Sequence, residues 1–500
     1  MNPMRLATAF SLSLSLLLLA GLFMTLGERP SPAGAWLSLL GMWVAGWLVV
    51  RLWNGNLLEW PVLFSLFYVA YVSAPTIEVL FTGTFSSDNP LIQRAWGDFA
   101  LSVDAAALLG GVGLLAFTAG LVFAKLLKWG KPKLEKATPP FKQGIELPSW
   151  VFLLGLVAFA FGVVLYALDL FRLGGWQALL TPRVERLYAL SEARGNLPYA
   201  PFVFSGIALL ALGSLRLSVG SLSWWAFISL LILWVGFLLA QGDRRYVLYT
   251  LLVLVGGYGV FRRFVWKVSF RALLVLLLVY IVASFFGAVR WLLPSLLGGH
   301  LGLGEALVWI HDNVSWSWFL PSSNEFVGPY LTLLFTLDHQ GWRDAVGAPL
   351  GGFSYVASLA NLLPRSLYPG EKWVPLSFQF SDWYYATYIP DFPAPPGFGF
   401  SPIAEALLNF DNTAFAPIPP LFLLGLFMGR LSLRVRLKPL PWGLIYALLM
   451  PQAFNLNRID FPWAFQEGVY YVFVGLLLWY GGLFLLRRRR EGTSKGPASS

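Results

Sequence analysis

Long apolar runs separated by short polar stretches follow one another along almost the whole chain. A helix that crosses a bilayer needs about 20 consecutive, mostly apolar residues. The pattern therefore predicts twelve transmembrane helices, at about residues 6–26, 34–53, 58–75, 101–124, 149–169, 199–215, 223–240, 246–261, 271–289, 417–432, 441–455 and 467–486.

The spacing of these runs predicts an all-α, polytopic transmembrane helical bundle. Residues 1–289 form its N-terminal membrane domain, 290–416 a large external loop, 417–490 the C-terminal membrane helices, and 491–500 a tail. The loop is rich in aromatic residues, proline and glycine. Its segments Phe326–Leu337 and Gly352–Leu363 are typical of short amphipathic or re-entrant helices at a membrane surface.

Basic residues indicate how the bundle is oriented. Lysines cluster between Lys125 and Lys142, and arginines recur in Arg262–Arg271, Arg430–Lys438 and Arg487–Arg490. All four groups fall on one side of the twelve-helix arrangement, and the positive-inside rule makes that side cytoplasmic. We therefore expect a multi-pass protein of the cytoplasmic (inner) membrane with both termini in the cytoplasm.

Composition supports this class and removes others. Hydrophobic residues make up 57% of the chain and charged residues only 12%, about half the charge of a soluble domain. The chain has no cysteine, which excludes disulfides, thiol catalysis and cysteine-ligated metals. Its three histidines form no metal-binding pattern, so we expect no metal and no cofactor. The net charge of +10 reports orientation rather than nucleic-acid binding.

Lysine and arginine are distributed unequally between the two sides. The cytoplasmic side carries 9 Lys and 13 Arg, whereas the outer side carries 12 Arg and a single lysine, Lys372. The guanidinium fork suits bidentate recognition of phosphate and carboxylate, so the excess predicts an anionic ligand outside. Compositional bias and arginines that snorkel to the interface are the alternative.

The outer arginines are grouped in three places along the sequence. Arg183, Arg186 and Arg194 share one loop with Arg172, and Arg183 and Arg186 share a face if the loop is helical there. Arg244 and Arg245 lie in a tight hairpin between two predicted spans, and Arg290 ends a span. These groups could converge on one anionic group. Alternatively, Asp243 simply pairs with Arg245, and Arg290 only anchors its helix.

The external loop ends in Gly-Phe-Gly-Phe-Ser-Pro-Ile-Ala-Glu-Ala-Leu-Leu-Asn-Phe, residues 397–410. Glu405 and Asn409 are four residues apart, which puts them on one face of a short helix. The carboxylate could act as a base, position an arginine, or serve only a structural ion pair. Tyr384 and its aromatic neighbours could stack on sugar rings, although an interfacial belt explains most of them. His311 and His339 are single outer histidines, which are more often structural than catalytic.

Several of these segments together resemble the O-antigen polymerases, also called oligosaccharide repeat unit polymerases. The resemblance rests on Gly-Asp-Arg-Arg at 242–245, Leu-Pro-Arg at 363–365, the 397–410 segment, and Leu-Leu-Gly-Leu at 423–426. It covers roughly Gly242 to Gly429. The family usually has Gly-Ser-Arg-Gly in the hairpin. Here Asp243 and a second arginine replace that pattern, which leaves open which arginine corresponds.

The resemblance implies a GT-C-like, metal-independent glycosyltransferase. It would polymerise polyprenyl diphosphate-linked oligosaccharides into surface polysaccharide at the outer face of the membrane. Its partners would be this lipid-linked substrate, membrane lipid and a chain-length-regulating co-polymerase, with no nucleic acid. The candidate catalytic residues are Glu405, Arg244, Arg245 and Arg290. The candidate substrate-binding residues are Arg183, Arg186, Arg194, Arg365, Asn409 and Tyr384.

Two other functions remain open at this point. An O-antigen ligase shares the architecture but relies on an outer histidine, which would have to be His311 or His339. A flippase or other transporter of lipid-linked glycans would need charged residues spread through the spans.

Overall fold

The structure is a computed structural model whose described regular structure is helical throughout, as predicted. It describes residues 3–27, 30–83, 102–127, 150–175, 197–215, 221–241, 243–262, 266–267, 269–289, 292–313, 319–321, 326–363, 372–391, 397–411, 413–437 and 439–494.

Helices form at every predicted span and within the predicted external loop. In the first part of the chain they are α1 (Pro3–Leu26), α2 (Pro32–Leu52), α3 (Trp60–Thr82), α4 (Val103–Leu126), α5 (Trp150–Arg172), α6 (Tyr199–Ser214), α7 (Leu222–Ala240), α8 (Arg244–Arg262) and α9 (Phe270–Val289). The short helices that follow are α10 (Leu292–Leu297), α11 (Leu303–Asn313), α12 (Val327–Asp338), α13 (Gln340–Ala345), α14 (Phe353–Asn361), α15 (Leu376–Tyr388) and α16 (Pro402–Phe410). The last helices are α17 (Ile418–Leu437), α18 (Pro439–Leu449), α19 (Gln452–Asn455) and α20 (Phe461–Ser494).

Among the described residues, eight helices are long and apolar enough to cross a membrane. They are α1, α2, α3, α4, α5, α7, α17 and α20. The helices α6 and α18 are apolar but shorter. The chain is therefore a multi-pass membrane protein.

Three predicted spans differ from the helices that form. The third was expected to end at residue 75. Instead α3 passes through Pro75 to Thr82, and its buried face continues with Thr76 and Glu78. The span predicted at 441–455 is broken near Pro451 into α18 and α19. The last helix begins six residues earlier than predicted and extends into the predicted tail, to Ser494.

The chain folds as two compact units that are each built from separated stretches of sequence. The first consists of Met1–Trp129, Val265–Leu433 and Gln452–Gln466. The second consists of Gly130–Phe264, Arg434–Pro451 and Glu467–Ser500.

In the first unit, α2 packs between α1 and α4, and α3 also contacts α4. α17 approaches α4 very closely at Gly425. A Cβ atom at this position would lie 2.2 Å from the carbonyl oxygen of Phe117. Small residues allow such close crossings between membrane helices. α12 packs on α3 and α16, and α14 packs on α16. Residues 329–336 of α12 are all buried, so this helix belongs to the core. Of the two forms expected there, amphipathic or re-entrant, its burial does not fit the amphipathic one.

In the second unit, α5 and α6 pack along most of their length, and α8 packs against α6 and α18. Aromatic side chains fill the space beside α8. The ring of Phe204 lies 5.5 Å from that of Tyr249 and 5.2 Å from that of Tyr471.

Candidate functional site

The conspicuous segment 397–410 folds as a tight turn followed by the short helix α16. Ser401 caps this helix, since its hydroxyl accepts the N–H of Ile403 at 3.2 Å, and Pro402 takes the first helical position. The N–H of Ser401 donates to the Thr332 hydroxyl of α12 at 3.1 Å. The segment is thus fixed against a buried helix at its start.

The glycines ahead of α16 are required by backbone geometry. Gly397 has a φ of 81°, which favours glycine. A Cβ atom on Gly399 would lie 2.5 Å from Cδ of Pro329, so the chain could not approach α12 with a larger residue. The neighbouring N–H of Phe400 donates to the carbonyl of Arg458 at 2.7 Å. These motif positions therefore have a structural explanation.

Glu405 lies inside the protein, with 1% of its surface exposed. One carboxylate oxygen, Oε1, accepts the hydroxyl of Ser354 in α14 at 2.7 Å. The other, Oε2, accepts the N–H of Phe461 at the start of α20 at 2.7 Å. The carboxylate therefore joins three helices, and both of its oxygens are used within the protein.

Asn409 completes this arrangement on the same face of α16, one turn after Glu405, as the spacing predicted. Its Nδ2 donates to the Ser354 hydroxyl and to the carbonyl of Glu405, each at 2.8 Å. Its Oδ1 accepts the N–H of Ser354 at 3.3 Å. Asn409 is 1% exposed, so the side chain is fully occupied with α14 and α16.

A second buried carboxylate, Asp460, was not singled out from the sequence. Its Oδ2 accepts the N–H of Leu376 at 2.8 Å, and its Oδ1 accepts the Ser377 hydroxyl at 2.9 Å. It thereby ties the start of α15 to the start of α20. The available signal was an aspartate directly before an apolar run with Pro462 at its second position, which is typical of a helix N-terminus. We call Glu405, Asn409, Ser354, Asp460 and Ser377 the Glu405 network.

The two carboxyl groups of the Glu405 network influence each other's protonation. Burial, followed by the charge of Asp460, raises the pKa of Glu405 well above its usual range. Burial also raises the pKa of Asp460, and the hydrogen bonds from Ser377 and Leu376 partly oppose that effect. Burial, followed by the charge of Glu405, also raises the pKa of the Tyr355 hydroxyl of α14. The site therefore favours a state that carries less than two negative charges.

The hairpin arginines belong to a different cluster, in the second unit. Arg245 forms an ion pair with Glu467 through Nη2, and its Nε donates to the Tyr249 hydroxyl at 2.6 Å. The Tyr249 hydroxyl in turn donates to Oε2 of Glu467 at 3.2 Å. We call these three residues the Arg245 cluster. The side chains of Arg245 and Glu467 are 12% and 15% exposed, so the pair is largely removed from water.

Asp243 and Arg244 flank this cluster at the start of α8. Asp243 accepts the N–H of Tyr246 at 3.2 Å and so caps the helix, while Arg244 is half-buried. The sequence offered Asp243 as a partner of Arg245 but did not single out Glu467. Glu467 could have been identified because it is a lone carboxylate early in an apolar run. Such a residue marks a candidate functional position in a membrane protein.

Tyr384 is fully buried between other rings. Its centroid lies 5.4 Å from Phe335, 5.7 Å from Phe380 and 5.6 Å from Phe398. This placement favours a packing role. The sugar-stacking role suggested for it stays a prediction.

The remaining predicted site residues lie outside the described part of the chain. They are Arg183, Arg186, Arg194, Arg290 and Arg365. Their convergence with Arg244 and Arg245 therefore stays a prediction.

The two histidines of the predicted external loop have different surroundings. His339 caps α13, since its Nδ1 accepts the N–H of Trp342 at 3.3 Å, and its ring lies 4.9 Å from that of Trp383. His311 is exposed beside Asp312, with its Nδ1 2.9 Å from Oδ1 of that residue. Within the described residues, no group of three or more His, Asp or Glu side chains is arranged to hold a metal ion.

Comparison of this chain with protein-family models, curated proteins and solved structures finds no match.

Proposed function

We propose that this protein is a membrane glycosyltransferase that polymerises polyprenyl diphosphate-linked oligosaccharide repeat units at the outer face of the cytoplasmic membrane. In this reaction the bond between the anomeric carbon and the diphosphate oxygen breaks. The oxygen of a hydroxyl on a second lipid-linked unit forms the new glycosidic bond, and the proton of that hydroxyl passes to water. Polyprenyl diphosphate leaves with the electrons of the broken bond.

The observation that carries the proposal is the Arg245 cluster at the start of α8. A charged side chain in an otherwise apolar helical bundle is costly and usually marks a functional site. Here Glu467 and Tyr249 contact the same guanidinium from two directions, at Nη2 and Nε. Partners of this kind hold an arginine in one orientation before a ligand arrives.

An arginine held in this way suits a diphosphate leaving group. Negative charge develops on the diphosphate as its bond to the anomeric carbon breaks, and fixed cations stabilise that charge without reorganising. Arg244 is the adjacent residue and would supply a second cation from the same helix start. Without a ligand, the negative charge of Glu467 balances the positive charge of Arg245.

Within this proposal, the Glu405 network positions other groups. Glu405 and Asn409 are each 1% exposed and are hydrogen-bonded to α14 and α20. Such a carboxylate holds α14, α16 and the start of α20 together. The role of Glu405 as a general base stays a prediction, which the variants Glu405→Gln and Glu405→Ala test directly.

The alternatives receive less support from the described residues. A flippase would need charge along its spans. The carboxylates described in the membrane-length helices lie near helix ends instead: Asp104 in the first turn of α4, Asp169 and Glu78 in the last turns of α5 and α3, and Glu467 in the second turn of α20. A ligase would need an outer histidine for catalysis, whereas His339 is used to cap α13 and packs against Trp383. His311 is 88% exposed and lies next to Asp312.

The test is gel analysis of surface polysaccharide from a deletion strain complemented with wild-type protein or with variants. A polymerase deletion should leave single repeat units on the surface. Full-length polymer that accumulates on the lipid carrier would indicate a ligase. The absence of both products from the outer face would indicate a flippase.

A further inference from the structure

The short helix α14 has its polar and apolar faces reversed relative to a helix on the surface of a soluble protein. Its buried residues are Ser354, Ala357, Ser358 and Asn361. On the opposite face, Phe353 is 52% exposed, Val356 64% and Leu359 59%. Residues three apart on a helix share a face, so these three side chains form one apolar stripe. Leu363, 46% exposed, continues it beyond the end of the helix.

The polar face is held in place by specific bonds. Ser354 belongs to the Glu405 network through its bonds with Glu405 and Asn409. At the other end of the helix, Nδ2 of Asn361 donates to the carbonyl of Trp373 at 3.3 Å. The helix cannot roll to bury its apolar stripe without breaking these bonds, so the stripe faces outward as a fixed feature.

α14 is attached to the start of one helix that is long enough to cross a membrane and to the short helix that precedes another. The carbonyl of Asn361 accepts Nε2 of Gln466, in the first turns of α20, at 3.3 Å. On the other side, the ring of Tyr355 stacks on that of Phe410, 6.0 Å away. The chain then passes through Phe415, which is 75% exposed, into α17. Exposed apolar side chains are therefore present both on α14 and at the approach to a membrane-crossing helix.

A lysine marks the end of the stripe. Nζ of Lys372 donates to the carbonyl of Asn361 at 3.3 Å and to that of Leu363 at 2.5 Å, where it caps the C-terminal end of α14. A cation beside an apolar stripe matches the boundary of a bilayer, where phosphate headgroups meet acyl chains. A large apolar patch facing water would be unusual for a stable protein.

We propose that α14 is embedded in the lipid leaflet at this end of the bundle, with Phe353, Val356, Leu359 and Leu363 against phospholipid acyl chains. The apolar face of the helix would then contact lipid, while its polar face is bonded to the Glu405 network. This inference goes beyond the proposed function and does not depend on which reaction the protein catalyses.

The test uses the absence of cysteine from the chain. Single cysteines replace Val356 or Leu359 in the full-length protein, which is spin-labelled and reconstituted in phospholipid vesicles without isoprenoid lipid. Phe427→Cys gives a lipid reference, since this residue is exposed on α17, and Thr387→Cys gives a water reference, since it is exposed on α15. Collision of each label with oxygen and with a water-soluble nickel chelate is then measured.

We expect the ratio of oxygen to nickel accessibility at positions 356 and 359 to match that at 427 and to exceed that at 387 several-fold. A ratio equal to that at 387 would show that the stripe faces water and would overturn the proposal. Low accessibility to both reagents would show that protein, such as a second copy of the chain, covers the stripe, and would overturn it equally. Because Val356 and Leu359 are both exposed, neither substitution disturbs packing. Two labelled positions are used so that the result does not depend on a single variant.

Discussion

The carboxylate of Glu405 accepts the backbone N–H of Phe461 at 2.7 Å, which joins residues 56 positions apart in the sequence. The same side chain accepts the Ser354 hydroxyl. A residue suggested by its place in a motif is therefore also the centre of a buried network. The question that follows is whether the protein needs its charge or only its hydrogen bonds.

The first prediction separates these two needs. Glu405→Gln keeps an oxygen that can accept the N–H of Phe461 and an amide that can donate to Ser354. We expect it to cost about 1 kcal/mol of stability and to retain polymer formation within a few-fold. Glu405→Ala leaves a buried N–H without its acceptor and should cost about 2–4 kcal/mol. Thermal unfolding in detergent and polysaccharide gels measure the two effects. A Gln variant that is stable, abundant and inactive would instead assign the carboxylate to the chemistry.

The second prediction concerns pH. Because the pKa values of Glu405 and Asp460 are raised, the folded protein holds protons that the unfolded chain releases near its ordinary carboxyl pKa of about 4. Stability should therefore fall as the pH rises from about 5 towards 9, by up to about 1.4 kcal/mol for each pKa unit of difference. The unfolding midpoint of wild-type protein should show this slope, and that of Glu405→Gln a weaker one. Asp382→Asn, at an exposed position of α15, is the control that should keep the wild-type slope. Equal slopes in all three proteins would contradict the assignment.

The third prediction concerns orientation. Basic runs place Lys131 on the cytoplasmic side and Lys372 outside. Single cysteines introduced at these positions should differ in intact cells, where an impermeant reagent should label position 372 and leave position 131 unlabelled. Permeabilised cells, in which both should react, provide the control for exposure. The opposite labelling pattern would show that the bundle has the inverse orientation. The arginines assigned to the outer face would then lie in the cytoplasm.

The sequence predicted the helices well because a run of about 20 apolar residues has few alternatives to a membrane-crossing helix. It failed where packing outweighs local signals. Buried contacts carry α3 through Pro75, and α12 is buried on all sides although its segment was expected at the surface. The sequence could not predict the partners of the site residues, for a different reason. Glu467 lies 222 residues after Arg245, and no local pattern reports which distant carboxylate an arginine will meet.

The fourth prediction concerns that pair. Arg245→Ala should destabilise the protein by about 3 kcal/mol because it leaves Glu467 largely buried without its partner. Glu467→Gln should cost less, since the amide oxygen can still accept from the guanidinium. In a double-mutant cycle, we expect the two changes to couple by about 1–3 kcal/mol. Arg51→Ala, at an exposed helix end, should show no coupling with Glu467→Gln. Additive effects at positions 245 and 467 would mean that the ion pair contributes little.

The last prediction tests whether the hairpin arginines bind a diphosphate. Lysine keeps the charge of arginine but loses the planar fork that pairs with two oxygens. At a true diphosphate site, Arg244→Lys and Arg245→Lys should therefore shorten the polymer strongly at matched protein levels. At a position that only sets topology or snorkels, lysine should serve as well as arginine. Arg51→Lys, where the guanidinium lies 5.1 Å from the ring centroid of Trp47, is the matched control and should leave polymer length unchanged. Alanine variants alone would not decide the matter, because they remove charge and packing together.

The readout is polymer length in complemented deletion cells, alongside the unfolding midpoint of each purified variant. If both lysine variants support wild-type polymer, the hairpin arginines do not clamp a diphosphate, and Arg245 is better explained by its ion pair with Glu467.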